Sequence, residues 1–359
     1  MSQLDSLFAA AFAHQKAQRF DQAIPLYQTV ARQVVTTNLA SNLAFCLAMT
    51  GELDAALHWL GLAAGQAPNQ PAVLEASVKL ASALLAAGRY AEGWPLMEAR
   101  IALHPRLIPP VDLPYPEWRG EPLAGQRVLV WLEQGFGDQI MFARFARDLV
   151  ARGARVTLAC RPPLAELFRA MPGVEAVVAV AVGAQVSVPP HDYWTRYGSL
   201  PLHLGVTLES LPDGPYLQVP PDRPAPAKPA GGVGLMWRVS STGFNAAAKA
   251  LPEAQAQRLL AAGCVSLQPE DTDAADFADT AAIIAGLDLV VSVDTAVAHL
   301  AGALGKPCWT LLPSSGLDWR WLHDRDDSPW YASMRLFRQP PGGDWPGLVD
   351  RIIAELARR

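Results

Sequence analysis

The sequence predicts an α + α/β chain, with helical repeats in its first third and two α/β halves behind them. Three observations carry that expectation. An internal repeat is confined to about the first hundred residues, short apolar runs then alternate with helical periods, and two proline-rich passages separate the parts. The 359 residues are enough for two or three cores, and 51% hydrophobic with 18% charged residues is the balance of a compact folded chain. A net charge of −5 with no Lys/Arg run offers no track for a phosphate backbone, so no nucleic-acid partner is expected.

The repeat is carried by "RFDQAIPLY" (Arg19–Tyr27), "ELDAALHWL" (Glu52–Leu60) and "RYAEGWPLM" (Arg89–Met97), spaced by about 33 to 37 residues. Each sets a small residue (Ala23, Ala56, Gly93) four positions before a large apolar one (Tyr27, Leu60, Met97). Pro68 and Pro105 stand where a second helix would end. The spacing predicts tetratricopeptide-like (TPR-like) helical hairpins over residues 1–106, a shape that presents a groove to a peptide or protein partner. A generic helical bundle is the alternative. "MSQLDSLFAAAFAHQKAQRF" has no basic segment before its apolar residues and reads as an amphipathic helix, not a secretory signal.

Residues 107–125 are a proline-rich connector, after which the period changes. "RVLVWLE" (Arg127–Glu133), "RVTLAC" (Arg155–Cys160) and "VEAVVAV" (Val174–Val180) read as buried strands separated by helices, which makes 126–220 a first Rossmann-like domain. Residues 221–232 form a second linker, and 233–345 repeat the alternation through "VGLMW", "CVSLQ", "DLVVSV" and "CWTLLP". Residues 346–359 are an amphipathic C-terminal helix, expected to cross back onto the first α/β domain. Cys46, Cys160, Cys264 and Cys308 are scattered in or beside apolar runs without a C-x-x-C pair, the pattern of buried reduced thiols and a cytoplasmic setting. No apolar stretch reaches membrane-span length, so at most peripheral membrane association is expected.

Two loops stand where chemistry is possible. In "LEQGFGDQI", Gly135 and Gly137 turn the chain off a strand, and Asp138 falls near a helix start. Asp138 is either an N-cap or a cleft carboxylate able to accept a proton. The loop is a poor dinucleotide fingerprint, because Ile140 stands where G-x-G-x-x-G needs glycine. In "LDLVVSVDTAVAHLAGALGKP", an apolar strand hands over to a helix at Asp294–Ala298, a corner with free amides suited to phosphate. Asp294 or Thr295 could equally be a cap, and His299 a structural hydrogen-bonder.

"SVDTAVAHLAGALGKP" resembles the D-T-G-x-x-H-L-A-A-A-L-G-x-P signature of glycosyltransferase family 9, the ADP-heptose:lipopolysaccharide heptosyltransferases. "EQGFGDQIMFARF" is similar to that family's G-x-G-D loop, and "ARVTLACRPPLAELFRAMPGVEAVV" to its next strand–helix–strand. "EWRGEPLAG" and "DWRWLHDRDDSPWYASMRLFRQ" resemble a bacterial group that joins tetratricopeptide repeats to this module. The resemblance implies a GT-B fold, with 126–220 on the acceptor side and 233–345 holding a nucleotide-sugar donor. It implies an inverting reaction needing no metal or cofactor, with Asp138 as general base. It sets Asp294, Thr295, Ala296 and His299 beside the donor diphosphate, and Gly135, Gly137, Gln139, Trp237, Gln268 and Ser292 are counted with them on the donor side. Arg238 and Lys249 are the candidate cations for the leaving group, a solvated loop being the alternative for both. Trp319 and Arg320 are added for stacking and phosphate contact, a packed tryptophan cluster being the alternative. The acceptor would be a glycan, a lipid-linked saccharide or a protein. Two departures are visible: Ala296 replaces the signature glycine, and "WRVSSTGFNAAAKAL" replaces a more basic, polar loop. They keep a second reading open, a non-catalytic TPR scaffold with a degenerate transferase module.

Overall fold

The structure is a computed structural model that describes residues 2–133, 135–184, 186–212, 214–223, 231–240, 245–323 and 325–359. The chain divides into two compact units. The first comprises Met1–Val111 with Gly205–Glu209 and Asp318–His323, and the second holds the rest.

The first unit is helical: α1 (Gln3–Lys16), α2 (Phe20–Ala31), α3 (Thr37–Thr50), α4 (Leu53–Gln66), α5 (Pro71–Ala86), α6 (Tyr90–Met97) and α7 (Ala99–Leu103). At α1 and α3, side chains satisfy the first amides. Ser2 Oγ accepts from Asp5 N at 3.1 Å while Asp5 returns to Ser2 N at 2.8 Å, and Thr36 Oγ1 accepts from Leu39 N at 3.2 Å. Helices pack as the pairs α1/α2, α3/α4 and α5/α6 around one core. The small repeat positions permit that approach. Ala23 and Ala56 are fully buried, and a Cβ on Gly93 would lie 2.8 Å from Leu85. Tyr27 and Leu60 are sunk in the core, whereas Met97 is half-buried. Pro68 and Pro105 follow the ends of α4 and α7.

Two segments distant in sequence complete this unit. Trp94 Nε1 donates to Val206 O at 3.0 Å, and the Trp94 ring meets Trp319 edge-on with centroids 5.3 Å apart. Trp319 and Arg320, assigned above to the donor, therefore sit in the helical unit. Arg320 is bound there by both Asp318 carboxylate oxygens (2.8 and 2.9 Å) and lies over the Trp319 ring.

The second unit carries two sheets. The first is built from β1 (Arg127–Trp131), β2 (Arg155–Cys160), β3 (Val174–Ala179) and β4 (Tyr193–Arg196), with α8 (Phe136–Ala143), α9 (Ala146–Ala151), α10 (Ala165–Arg169) and α11 (Leu200–Leu204) between or after them. Its order is β3-β2-β1-β4 and its pairs are parallel. The chain leaves β1 to one side and returns for β4 on the other, which puts the switch point of the topology between β1 and β4.

The second sheet has β5 (Val233–Met236), β6 (Cys264–Ser266), β7 (Leu289–Val293), β8 (Cys308–Leu312), β9 (Asp327–Ser328) and β10 (Tyr331–Arg338). Its order is β6-β5-β7-β8-β10-β9, parallel except for the β9 edge. The helices are α12 (Ala246–Lys249), α13 (Glu253–Ala261), α14 (Pro269–Thr272), α15 (Phe277–Ala285), α16 (Ala296–Ala303) and α17 (Trp345–Leu356). The switch point falls between β5 and β7, and β7 is buried along its whole length.

One expectation is corrected here. The C-terminal helix does not cross back to the first sheet. Trp345, Leu348, Val349 and Ile352 share a core with Leu235, Leu259 and Leu289 of its own domain. Their helical spacing gives one apolar stripe, and that stripe is buried beside α13. Most of the linker 221–232 lies outside the described residues. All four cysteines are free and buried, and burial pushes the Cys46, Cys160 and Cys308 thiols up to about 12.

Candidate functional site

The two switch points bring their loops together. On the first sheet, the chain leaves β1 through buried Glu133, whose Oε1 accepts from Gly198 N just past β4 at 2.6 Å. Helix α8 then starts at Gly135, in extended backbone (φ −67, ψ 176). Asp138, in its first turn, accepts from Gly135 N at 3.1 Å through Oδ2, so the carboxylate helps cap the helix and is only partly buried. Gln139 is fully buried and its Oε1 accepts from Arg161 N at 3.0 Å, which fixes the end of β2 against the loop.

Gly137 faces the second sheet's corner directly. A Cβ there would stand 2.9 Å from His299 Cδ2 and 3.6 Å from Ala296 Cα. Only a hydrogen fits, which is the physical reason for glycine at this position.

At that corner, Thr295 does not act as a side-chain cap. Thr295 occupies the N-cap of α16 (φ −141, ψ 173) without a side-chain cap bond, and its hydroxyl pairs with Ser292 Oγ at 3.2 Å. Ser292 is fully buried and donates to Val293 O at 2.7 Å. Asp294 faces Lys249, whose Nζ lies 2.7 Å from Oδ2, and both side chains are largely buried. An ammonium held that close to a carboxylate in a low-dielectric setting is a strong charge pair. His299 is buried, with Nε2 4.0 Å from Asp294 Oδ1 and Nδ1 2.9 Å from the Tyr331 hydroxyl.

The neighbouring switch-point loop, at the end of β5, is more structural. Trp237 is buried and donates through Nε1 to Glu253 at 3.0 Å. With its amide set to suit its neighbours, Gln268 accepts from the backbone N–H groups of Trp237 and Arg238, each at 3.2 Å. Arg238 is exposed and paired with Glu270 and Glu253. Residues 241–244 of the altered loop lie outside the described residues.

The structure thus gathers Gly135, Gly137, Asp138, Lys249, Asp294, Thr295, Ala296 and His299 around two facing helix starts. It gives Gln139, Gln268, Trp237 and Ser292 bracing roles in the crevice, and it puts Trp319 and Arg320 in the other unit. Sequence reasoning missed Tyr331 and Arg144, described below. Tyr331 lay in a quoted aromatic run, but nothing local pointed to a histidine 32 residues away.

Residues 233–320 match the family described as glycosyltransferase family 9 (heptosyltransferase), a stretch that runs from β5 past β8 and includes the Asp294–His299 corner. The chain is 32% identical over 364 residues to Protein FlbA of Caulobacter vibrioides, which takes in 88% of this chain. It spans 60% of the length of that curated relative. Among solved structures it is similar to the E. coli ADP-heptose lps heptosyltransferase II, at 16% identity and a TM-score of 0.44, covering 65% of this chain and 98% of that one. It is also similar to the glycosyl transferase family 9 of Veillonella parvula, at 12% identity and a TM-score of 0.42, covering 67% of this chain and 92% of that one.

Proposed function

We propose that this chain is an inverting, metal-independent glycosyltransferase of GT-B architecture. It would move a sugar from a nucleotide-sugar to a hydroxyl of a surface glycan, lipid-linked saccharide or protein, in the cytoplasm, with TPR-like hairpins recruiting acceptor or partner. The observation that carries this reading is the meeting of the Gly135–Asp138 loop with the Asp294–His299 corner, each at the switch point of a parallel sheet. The family match over 233–320 supports it.

In this reading the acceptor oxygen attacks the anomeric carbon of the donor as the bond from that carbon to the diphosphate oxygen breaks. The acceptor's proton passes to Asp138, and the electron pair of the broken bond leaves with the nucleoside diphosphate. Charge growing on that leaving group meets the start of α16, whose aligned peptides carry roughly half a positive charge. Lys249, now on Asp294, adds a full one. The experiment is the initial rate of donor turnover in Asp138→Ala. A fall of about a hundredfold or more is expected for loss of a general base, and an unchanged rate removes Asp138 from that role.

A second reading, a non-catalytic scaffold, is favoured by one observation. Asp294 and Lys249 already stand as an ion pair at 2.7 Å, so each charge in the corner faces its opposite before any donor arrives. Titration with nucleotide-sugars separates the two.

A further inference from the structure

Behind the Asp294–His299 corner lies a cation that the proposed reaction does not use. Arg144 follows α8 and is 1% exposed. Its Nε donates to Met141 O at 3.1 Å, and the buried Nη1 and Nη2 meet no carboxylate or carbonyl among the described residues, only the Tyr216 and Tyr331 side chains. Three aromatic rings enclose the guanidinium, with Cζ 4.7 Å from the Tyr331 centroid, 4.8 Å from Tyr216 and 5.1 Å from Trp330. Burial works against its charge, and the Tyr216 and Tyr331 phenols more than offset it, so Arg144 stays a cation.

Each phenol is committed on its far side. The Tyr216 hydroxyl donates to Ile140 O at 2.9 Å, and the Tyr331 hydroxyl lies 2.9 Å from His299 Nδ1. A guanidinium against a phenol holds the oxygen's electron density toward itself and leaves the O–H as a polarised donor. Pointed at Nδ1, that donor needs a lone pair there, so the ring proton of a neutral His299 belongs on Nε2. Nε2 is the nitrogen on the side of Asp294 and Gly137.

We propose that Arg144 is a positioning residue. Through Tyr331 it holds His299 in the Nε2–H tautomer and so aims a hydrogen-bond donor at the corner where the two switch-point loops meet. The ligand chemistry this fits is an oxygen of a diphosphate. That assignment of ligand rests on the donor site proposed above, whereas the tautomer does not.

The test is nitrogen-15 NMR of the histidine side chains in the full-length protein, with His299→Gln used to assign the His299 signals. Wild type is expected to show His299 protonated on Nε2 at neutral pH. Tyr331→Phe, which removes one oxygen, is expected to shift the ring toward Nδ1–H and to weaken nucleoside diphosphate binding by about tenfold, the scale of one hydrogen bond. Arg144→Lys keeps the charge and should retain the Nε2–H form. Arg144→Met should lose it, and if that variant fails to fold, Tyr331→Phe still decides. An Nδ1–H wild type, or a tautomer indifferent to Tyr331→Phe, overturns the proposal. The expected tautomer behaviour together with no binding of any nucleotide-sugar to wild type upholds the positioning role and overturns the donor site instead.

Discussion

Lys249 and Asp294 are the charged pair at the centre of the candidate site. Each is largely withdrawn from water, and 2.7 Å separates ammonium from carboxylate. Removing one partner of a buried pair strands the other charge, which costs about 3–5 kcal/mol. Lys249→Met is therefore expected to lower stability to urea by about 3 kcal/mol, with the same variant showing weaker nucleotide affinity. Unchanged denaturation midpoints would mean that the pair contributes nothing to the fold. At this scale the two candidate corners were legible. Glycines after one strand and Asp-Thr after another mark places where backbone must turn and amides are spare. What could not be read was which atom each residue would choose. Asp294 was open between cap and ligand because the rival partner, Lys249, is brought in by a different loop. His299 gave no sign of Tyr331 because the two lie 32 residues apart and meet only through the tertiary packing of β10 on α16.

Helix pairs and strands are the scale at which pattern worked best. The repeat's small positions are where helices touch, and Gly93 is the sharpest case, with Leu85 at 2.8 Å from a would-be Cβ. Gly93→Ala sets two effects against each other. Alanine favours a helix by about 1 kcal/mol over glycine, while overpacking of this tightness costs about 1–3 kcal/mol. Net destabilisation of the helical unit is expected, read as a lower Tm by circular dichroism; a raised Tm would mean that α5 and α6 give way without cost. Continuous apolar strands such as β7 declared themselves, because burial on both faces demands them. The short β4, "YWTR", did not, since its four residues carry no period. The C-terminal helix was read correctly as amphipathic, but an apolar stripe does not name the sheet that will cover it.

Over the whole molecule, the boundary between units is not a single cut. Gly205–Glu209 and Asp318–His323 belong with the helices, so deleting the first 111 residues would strip the cover from Trp319 and Leu208. Tests of recruitment by the helical unit belong in the full chain, with substitutions on the helices' exposed faces. Among the described residues, no helix is long and apolar enough to cross a membrane. If the two facing corners make a site for a sugar nucleotide, calorimetric titration of the whole chain with ADP-, UDP-, GDP- and dTDP-sugars reads it out. Binding of one of them in the micromolar range, about −8 kcal/mol, is the result predicted, weakened in Lys249→Met. No heat of binding from any of the four, even at millimolar concentration, would contradict it.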